Sequence, residues 1–137
     1  MKTPQRSRQL VLVVDDFTDN REMYAEYLRH KGYDVAEAAT GQDAVDLTRR
    51  LRPDLVCMDL SLPGVDGWEA TRRIKADERT RHIPVVVVTG HALEQDNASA
   101  VAAGGDAFLV KPCLPERLAR VVEHLLTRRS QTAGGGR

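Results

Sequence analysis

Several common features are scarce in this sequence, and each scarcity excludes a class of protein. Only 4% of the 137 residues are aromatic, so a core has to be built from Val, Leu, Ile and Ala. The two cysteines, Cys57 and Cys113, lack metal-like spacing, so we expect reduced thiols and no disulfide framework or zinc site. No apolar run approaches the ~20 residues of a membrane span, and residues 10–14 are too few for the core of a signal peptide. We therefore expect a cytoplasmic protein.

An excess of one charge is also missing. Lys plus Arg and Asp plus Glu each number 20. Proteins that bind nucleic acid through its phosphates usually carry an excess of basic residues, so this balance argues against direct nucleic-acid binding. The length fits one domain, which we place at residues 9–129, between a basic leader over 1–8 and a flexible tail or linker stub over 130–137. No effector domain follows, so we expect a stand-alone domain or one cut from a longer chain.

Short β-branched runs alternate with helical patterns along the chain. We predict strands over residues 10–14, 33–38, 55–58, 85–88 and 107–110. Helix starts are indicated by a capping residue followed three positions later by an acid, at Asp19 to Glu22, Thr40 to Asp43 and Asp66 to Glu69. A fourth helix is predicted over about 92–103 and a fifth over about 114–129. Five β-then-α units indicate a parallel sheet with helices on both faces and right-handed crossovers.

Polar side chains follow four of the five predicted strands. These are Asp15 and Asp16 after the first strand, Asp59 after the third, Thr89 after the fourth and Lys111 after the fifth. All of them lie at the carboxyl edge of the sheet, which carries the ligand site in open α/β folds. With strand order 2-1-3-4-5, the site falls between strands one and three, and the three carboxylates meet there.

Three adjacent carboxylates repel one another unless one is protonated or a cation neutralises them. Mg²⁺ prefers oxygen ligands and keeps several waters, so the acidic triad predicts a magnesium site. Its charge would let an anionic carboxylate approach an anionic phosphoryl group, while Lys111 adds positive charge and the Thr89 hydroxyl donates a hydrogen bond. This set suits phosphoryl transfer onto a carboxylate.

Four segments resemble the receiver domain of response regulators: VVDD at 13–16, MDLSLPGVDG at 58–67, VVVVTG at 85–90 and FLVKP at 108–112. The resemblance implies a flavodoxin-like doubly wound sheet of order 2-1-3-4-5. It implies that Asp59 is the phospho-acceptor and that Asp16, Asp59 and the Ser61 carbonyl bind Mg²⁺, with Asp15 holding a metal-bound water. Lys111 would pair with the phosphoryl group, and Pro112 would follow a cis peptide bond.

The resemblance also implies a switch and partners. Thr89 and Phe108 match the switch pair, which would reshape the face formed by the fourth helix, the fifth strand and the fifth helix. The donor would be a phosphohistidine on a sensor histidine kinase or a histidine phosphotransfer protein, and the receiving partner a protein effector. The same face could form a homodimer. The protein would catalyse its own phosphorylation and dephosphorylation without being a turnover enzyme in the usual sense.

Other interpretations stay open at this point. The acids could be loop or cap residues, Lys111 a surface lysine, Thr89 a helix cap and Phe108 a core residue. A small phosphatase with an aspartyl-phosphate intermediate is one alternative function, although adjacent Asp15 and Asp16 do not form the Asp-x-Asp motif that such enzymes often carry. A binding module that never takes phosphate is another.

Overall fold

The computed structural model describes residues 8–90 and 103–135, with side chains described as far as residue 128. Its strands are β1 (Leu10–Val14), β2 (Asp34–Ala38), β3 (Leu55–Asp59), β4 (Val85–Thr89) and β5 (Ala107–Val110). Its helices are α1 (Thr18–His30), α2 (Gly41–Leu51), α3 (Gly67–Ala76) and α4 (Pro115–Gly135). The α4 helix is the fifth one predicted from the sequence. The helix predicted over about 92–103 lies outside the described residues except at its last position.

All neighbouring strands run parallel, in the order β2-β1-β3-β4-β5. The chain therefore reverses its direction of winding at β1, and β3 pairs with β1 on the side opposite β2. The register sets Val14 beside Met58 at the ends of these two strands. The predicted doubly wound α/β fold and its strand order are confirmed.

The three central strands, β1, β3 and β4, are buried on both faces, which is why they read as continuous apolar runs. Val11 and Val13 point to a layer that contains α1 and α4, whereas Leu12 and Val14 point to a layer that contains α2 and α3. All five residues of β1 and of β4 are buried. With so few aromatic residues, the core consists mainly of aliphatic side chains on both sides of the sheet.

Two of the three predicted capping residues act as such. Thr40 accepts a hydrogen bond from the Asp43 amide at 3.0 Å, and Asp66 accepts one from the Glu69 amide at 2.9 Å. The cap predicted at Asp19 is wrong, because α1 begins at Thr18 with Phe17 as its N-cap residue and no side-chain cap. The chain enters this helix two residues earlier than the sequence pattern indicated.

The end of α4 also differs from the prediction. We expected the helix to end near Arg129 and a flexible tail to follow, but the helical backbone continues to Gly135. The segment from 130 to 133, Ser-Gln-Thr-Ala, contains no helix breaker, and the helix ends only within the glycine run. The helices of the described ranges include none with the length and apolar character needed to cross a bilayer.

Candidate functional site

The three acids predicted to meet do so at the carboxyl edge of the sheet. Asp15 directly follows β1, Asp16 is next to it, and Asp59 is the last residue of β3. One carboxylate oxygen from each of them lies within 4.8 Å of the others. Asp15 and Asp59 are buried, at 2% and 3% exposure, while Asp16 is exposed. The cluster therefore opens to solvent on the side of Asp16.

Lys111 brings a positive charge to the same cluster from the end of β5. Its Nζ atom is 3.3 Å from Asp59 Oδ1 and 3.6 Å from Asp15 Oδ2. Its backbone amide donates to the Thr89 carbonyl at 2.7 Å, which fixes the chain where it leaves β5 beside β4. The peptide bond between Lys111 and Pro112 is cis, as the family resemblance implied.

Charge is unbalanced at this edge, because three carboxylates surround one ammonium group. Burial raises the pKa of the Asp15 carboxyl above its ordinary value, and the nearby charge of Asp59 raises this pKa further. The amide of Phe17 and the charge of Lys111 act in the opposite direction. A cluster of oxygen donors with excess negative charge and one exposed member fits a hard divalent cation such as Mg²⁺. Asp15, Asp16 and Asp59 are the residues that could hold one.

The loop after β1 is held by contacts that the sequence analysis missed. Asp15 Oδ1 accepts from the Phe17 amide at 2.9 Å, and the Asp15 carbonyl accepts from an Arg21 guanidinium nitrogen at 3.0 Å. Arg21 is in turn 3.3 Å from Glu37 Oε1 on β2. Arg21 thus ties the acidic loop to both α1 and β2. The sequence gave no signal for the contact between Arg21 and the Asp15 carbonyl, although the two residues are only six positions apart. The contact depends on how α1 packs against the sheet.

The loop after β3 closes against the end of that strand. Asp59 Oδ1 accepts from the Ser61 amide at 3.3 Å, and the Leu60 carbonyl accepts from the Gly67 amide at 3.3 Å. A Cβ atom at Gly67 would overlap the Asp59 carbonyl oxygen and approach Leu60 Cα to 2.7 Å. The first residue of α3 therefore has to be glycine for the loop to pack this closely, and Ser61 is left exposed above Asp59.

The two predicted switch residues lie on neighbouring strands. Thr89 is the last residue of β4 and is buried, and the register places it one position beyond Val88, the partner of Asp59. Phe108 on β5 lies opposite Val87 on β4, and its side chain is only partly buried. The edge of its ring would be 3.0 Å from a Cβ atom placed on Gly105. Phe108 is thus partly buried against the core layer that contains Val87.

A groove of about 500 Å³ lies beside the acidic cluster, between α1 and the loop that leads from β5 into α4. Lys111 lines one end of it, and Met23 and Leu114 line its walls. Two of the side chains that line it are apolar and exposed, Met23 at 40% and Leu114 at 67%. A surface with this composition is typical of a protein–protein contact site.

Comparisons with known proteins agree with this geometry. The sequence model described as the response regulator receiver domain matches residues 11–123. The chain belongs to the response regulator receiver family. It is 34% identical to the polar-differentiation response regulator DivK of Brucella anthropi over 116 residues, which are 85% of this chain and 94% of that protein. The family assignment made from four sequence segments is confirmed, and with it a place in two-component signal transduction.

Solved structures show the same fold. The receiver domain of the sensor histidine kinase PA1611 from Pseudomonas aeruginosa has a TM-score of 0.82 and 35% identity, covering 88% of this chain and 99% of that one. That structure holds a magnesium ion in its active-site cleft. The chemotaxis protein CheY4 of Vibrio cholerae has a TM-score of 0.82 and 27% identity, covering 86% and 98%. A magnesium site in a relative and the acidic cluster of this receiver domain agree with the predicted cofactor.

Proposed function

We propose that this receiver domain accepts a phosphoryl group on the carboxylate of Asp59 from a phosphohistidine donor and so acts as a cytoplasmic signalling switch. The observation that carries the proposal is the environment of Asp59. This carboxylate is almost fully buried, yet it lies 3.3 Å from the ammonium group of Lys111 and beside two further carboxylates. A buried acid without a catalytic task would be paired one to one with a cation or with amide donors.

The chain's own residues account for each part of the transfer. An oxygen of Asp59 forms a bond to phosphorus as the phosphorus–nitrogen bond of the donor histidine breaks, and the imidazole leaves with the electron pair. The charge of Lys111 stabilises the oxygens of the transferred group, and the Thr89 hydroxyl donates a hydrogen bond to one of them. Asp15, Asp16, Asp59 and the carbonyl of Ser61 would hold Mg²⁺. When bound, this ion supplies the positive charge that lets two anionic groups approach.

Water can reach the aspartyl phosphate at this solvent-accessible edge. As its oxygen bonds to phosphorus, the bond between phosphorus and the Asp59 oxygen breaks, inorganic phosphate leaves and the carboxylate is restored. The residues that assist the transfer also assist this hydrolysis. The protein therefore catalyses its own labelling and its own reset, and it is not a turnover enzyme in the usual sense. Thr89 and Phe108 transmit the change. The Thr89 hydroxyl moves toward the phosphoryl group, and the partly buried Phe108 ring turns further inward beside Val87. The output surface lies around β5 and α4.

The phosphodonor is a sensor histidine kinase or a histidine phosphotransfer protein. The groove beside Lys111 supports this partner class, because it joins the exposed apolar side chains of Met23 and Leu114 to the reactive edge. A helix that docks there would bring its phosphohistidine to Asp59. The exposed apolar area would then be buried at the moment of transfer.

The intact mass of the full chain after incubation with acetyl phosphate and Mg²⁺ tests the proposal. We expect one added phosphoryl group in the wild type and none in Asp59→Asn. Asp54→Asn is the matched control, since Asp54 also adjoins β3 but lies at the opposite edge of the sheet and bonds the Leu10 amide. It should be labelled as the wild type is. A wild type that stays unlabelled, or labelling that persists in Asp59→Asn, would refute the proposal.

One alternative makes a different prediction for the same protein. A phosphatase that forms an aspartyl-phosphate intermediate would turn over p-nitrophenyl phosphate many times in the presence of Mg²⁺. We expect no more than stoichiometric release of p-nitrophenol from the receiver domain. Sustained turnover that is lost in Asp59→Asn would assign the site to that enzyme class.

A further inference from the structure

Two side chains of α1, one helical turn apart, each donate a hydrogen bond to a loop at the carboxyl edge of the sheet. Arg21 donates to the Asp15 carbonyl at 3.0 Å and so holds the loop after β1. The Tyr24 hydroxyl donates to the Cys113 carbonyl at 2.8 Å, in the loop between β5 and α4. Cys113 is two residues beyond Lys111. The helix therefore joins the loop that carries the acids to the loop that carries the lysine.

The hydroxyl of Tyr24 makes its contact inside the protein. The residue is only 5% exposed, and its ring packs in the core layer that contains α1 and α4. Burial raises the pKa of the Tyr24 hydroxyl to about 12, and the nearby charges of Asp15 and Asp59 contribute to the rise. The hydroxyl therefore keeps its proton at neutral pH and acts as a donor. Its loss would leave the buried Cys113 carbonyl without this donor.

The loop between β5 and α4 has few other attachments. At its start, the Lys111 amide donates to the Thr89 carbonyl at 2.7 Å. Beyond that point, and within the residues that the structure describes, the bond from Tyr24 is the only hydrogen bond that joins residues 112–114 to an element other than α4. The buried Cys113 side chain adds apolar packing. The path of the backbone directly after Lys111 therefore depends on the Tyr24 hydroxyl.

The path of this backbone sets where the ammonium group of Lys111 lies. The Lys111 side chain is 24% exposed, and its Nζ atom contacts the carboxylates of Asp59 and Asp15 at 3.3 and 3.6 Å. We infer that Tyr24 is a positioning residue for phosphoryl transfer, because its hydroxyl fixes the loop from which Lys111 reaches Asp59. This inference rests on the proposed function, in which Lys111 stabilises the transferred group. A misplacement of about 1 Å is enough to slow a reaction about 100-fold.

A purely structural role for Tyr24 would lower stability without acting on the chemistry, and Thr80 provides the matched control. The buried Thr80 hydroxyl donates to the Ile74 carbonyl at 2.7 Å, between α3 and the amino end of β4. Tyr24→Phe and Thr80→Val each remove one buried hydroxyl with little change in shape, and each deprives one carbonyl of its donor. The urea concentration at the midpoint of unfolding should fall in both variants. Only Tyr24→Phe should affect phosphorylation.

Labelling of the full chain by acetyl phosphate, followed by intact mass over a series of Mg²⁺ concentrations, separates the two roles. At saturating Mg²⁺, Tyr24→Phe should be labelled about tenfold more slowly than the wild type, and Thr80→Val within about twofold of it. The Mg²⁺ concentration that gives half the maximal rate should stay the same in Tyr24→Phe, because Arg21 holds the acidic loop. Equal slowing of both variants, or a changed Mg²⁺ dependence in Tyr24→Phe, would overturn the inference.

A double-mutant cycle shows whether the hydroxyl acts through Lys111. Lys111→Met alone should slow labelling about 100-fold, and adding Tyr24→Phe to it should change the rate by no more than about twofold. A further tenfold loss in the double variant would mean that the two residues act independently, which contradicts a positioning role. An unchanged rate in Tyr24→Phe alone would refute the inference and leave the proposed function intact. A wild type that takes no phosphoryl group would refute both.

Discussion

The two edges of the sheet use the same residue types for opposite purposes. At the amino edge, Asp54 accepts from the Leu10 amide at 2.7 Å, and Asp106 accepts from the Val85 amide at 2.8 Å. Asp106 is also 2.8 Å from the Nζ atom of Lys75. Each carboxylate there holds the first residue of a neighbouring strand. At the carboxyl edge, in contrast, Asp15 and Asp59 share the ammonium group of Lys111, and the carboxylate of Asp16 lies within 4.8 Å of both acids.

This difference separates structural from reactive charge. Asp54 and Asp106 each accept a hydrogen bond from a backbone amide, so the negative charge of both is compensated when the chain folds. Asp15 and Asp59 accept one backbone amide bond each, from Phe17 and from Ser61, and still carry excess negative charge toward each other. That excess requires a cation, and it makes the carboxyl edge the place where a phosphoryl group and its metal can bind.

The largest effect on phosphorylation is expected when Lys111, at the carboxyl edge, is replaced. Lys75, at the amino edge, is the matched control. Lys111→Met should slow labelling by acetyl phosphate about 100-fold, because it removes the cation beside the transferred group. Lys75→Met should leave the labelling rate within about twofold of the wild type, since Lys75 pairs with Asp106 far from the site. The rates are measured from the growth of the phosphorylated species in intact-mass spectra.

Both lysine variants need a test of folding, because each one breaks an ion pair. Far-ultraviolet circular dichroism at the labelling temperature should match the wild type for both. Slow labelling in Lys75→Met with an intact fold would show that the two edges are coupled and would remove the distinction drawn between them. Unchanged labelling in Lys111→Met would exclude this lysine from the chemistry.

Mg²⁺ should stabilise the folded protein only by binding to the acids at the carboxyl edge. At about 100 times its dissociation constant, Mg²⁺ is expected to stabilise the wild type by about 2.7 kcal/mol relative to a chelator. Asp16→Asn should weaken binding about 100-fold and leave about 0.4 kcal/mol at the same concentration. Asp19→Asn, an exposed acid in the first turn of α1, should keep the full effect. Thermal unfolding with and without Mg²⁺ measures all three. Full stabilisation in Asp16→Asn would remove Asp16 from the ligand set.

Much of this arrangement could be predicted from the sequence, for a physical reason. The central strands β1, β3 and β4 are buried on both faces, so their apolar runs stand out in the sequence. A parallel topology then puts the residues that follow the strands at one edge of the sheet. Thr40 and Asp66 were predictable as caps because capping is local. The same rule failed at Asp19, where the turn made by Asp15 and the Phe17 amide sets the helix start instead.

The parts that could not be predicted depend on contacts between distant segments. Arg21 reaches the Asp15 carbonyl and Glu37 only because α1 lies across β1 and β2. The pairing of Lys75 with Asp106 spans α3 and β5 and has no local sequence signal. Likewise, Gly67 looked like an ordinary residue after a capping Asp66, and its necessity follows from the close approach of α3 to the end of β3.

Removing a structural carboxylate should cost stability without affecting the chemistry. Asp106→Ala takes the acceptor from the Val85 amide and the ion partner from Lys75, so we expect a loss of about 1.5 kcal/mol in the free energy of unfolding. Asp34→Ala is the control, because Asp34 starts β2 at the same edge and its exposed carboxylate forms no hydrogen bond within the described residues. Urea unfolding measures both. Equal stability of the two variants would show that the amino-edge pairings contribute nothing.

The smallest effect should have the opposite sign, because Asp15 destabilises the metal-free protein. Burial, and then the charge of Asp59, raises the pKa of Asp15 above the ordinary aspartate value of 3.8. The folded state therefore binds this proton more tightly than the unfolded state, and stability falls as pH rises from 3.8 through the raised pKa. With a chelator at neutral pH, Asp15→Asn should raise the Tm by about 3 °C, and this gain should vanish in acid, where wild-type Asp15 is protonated. Asp54→Asn should give no gain at either pH, since its carboxylate is compensated by the Leu10 amide. A lower Tm for Asp15→Asn at neutral pH would mean that the carboxyl edge is as well compensated as the amino edge.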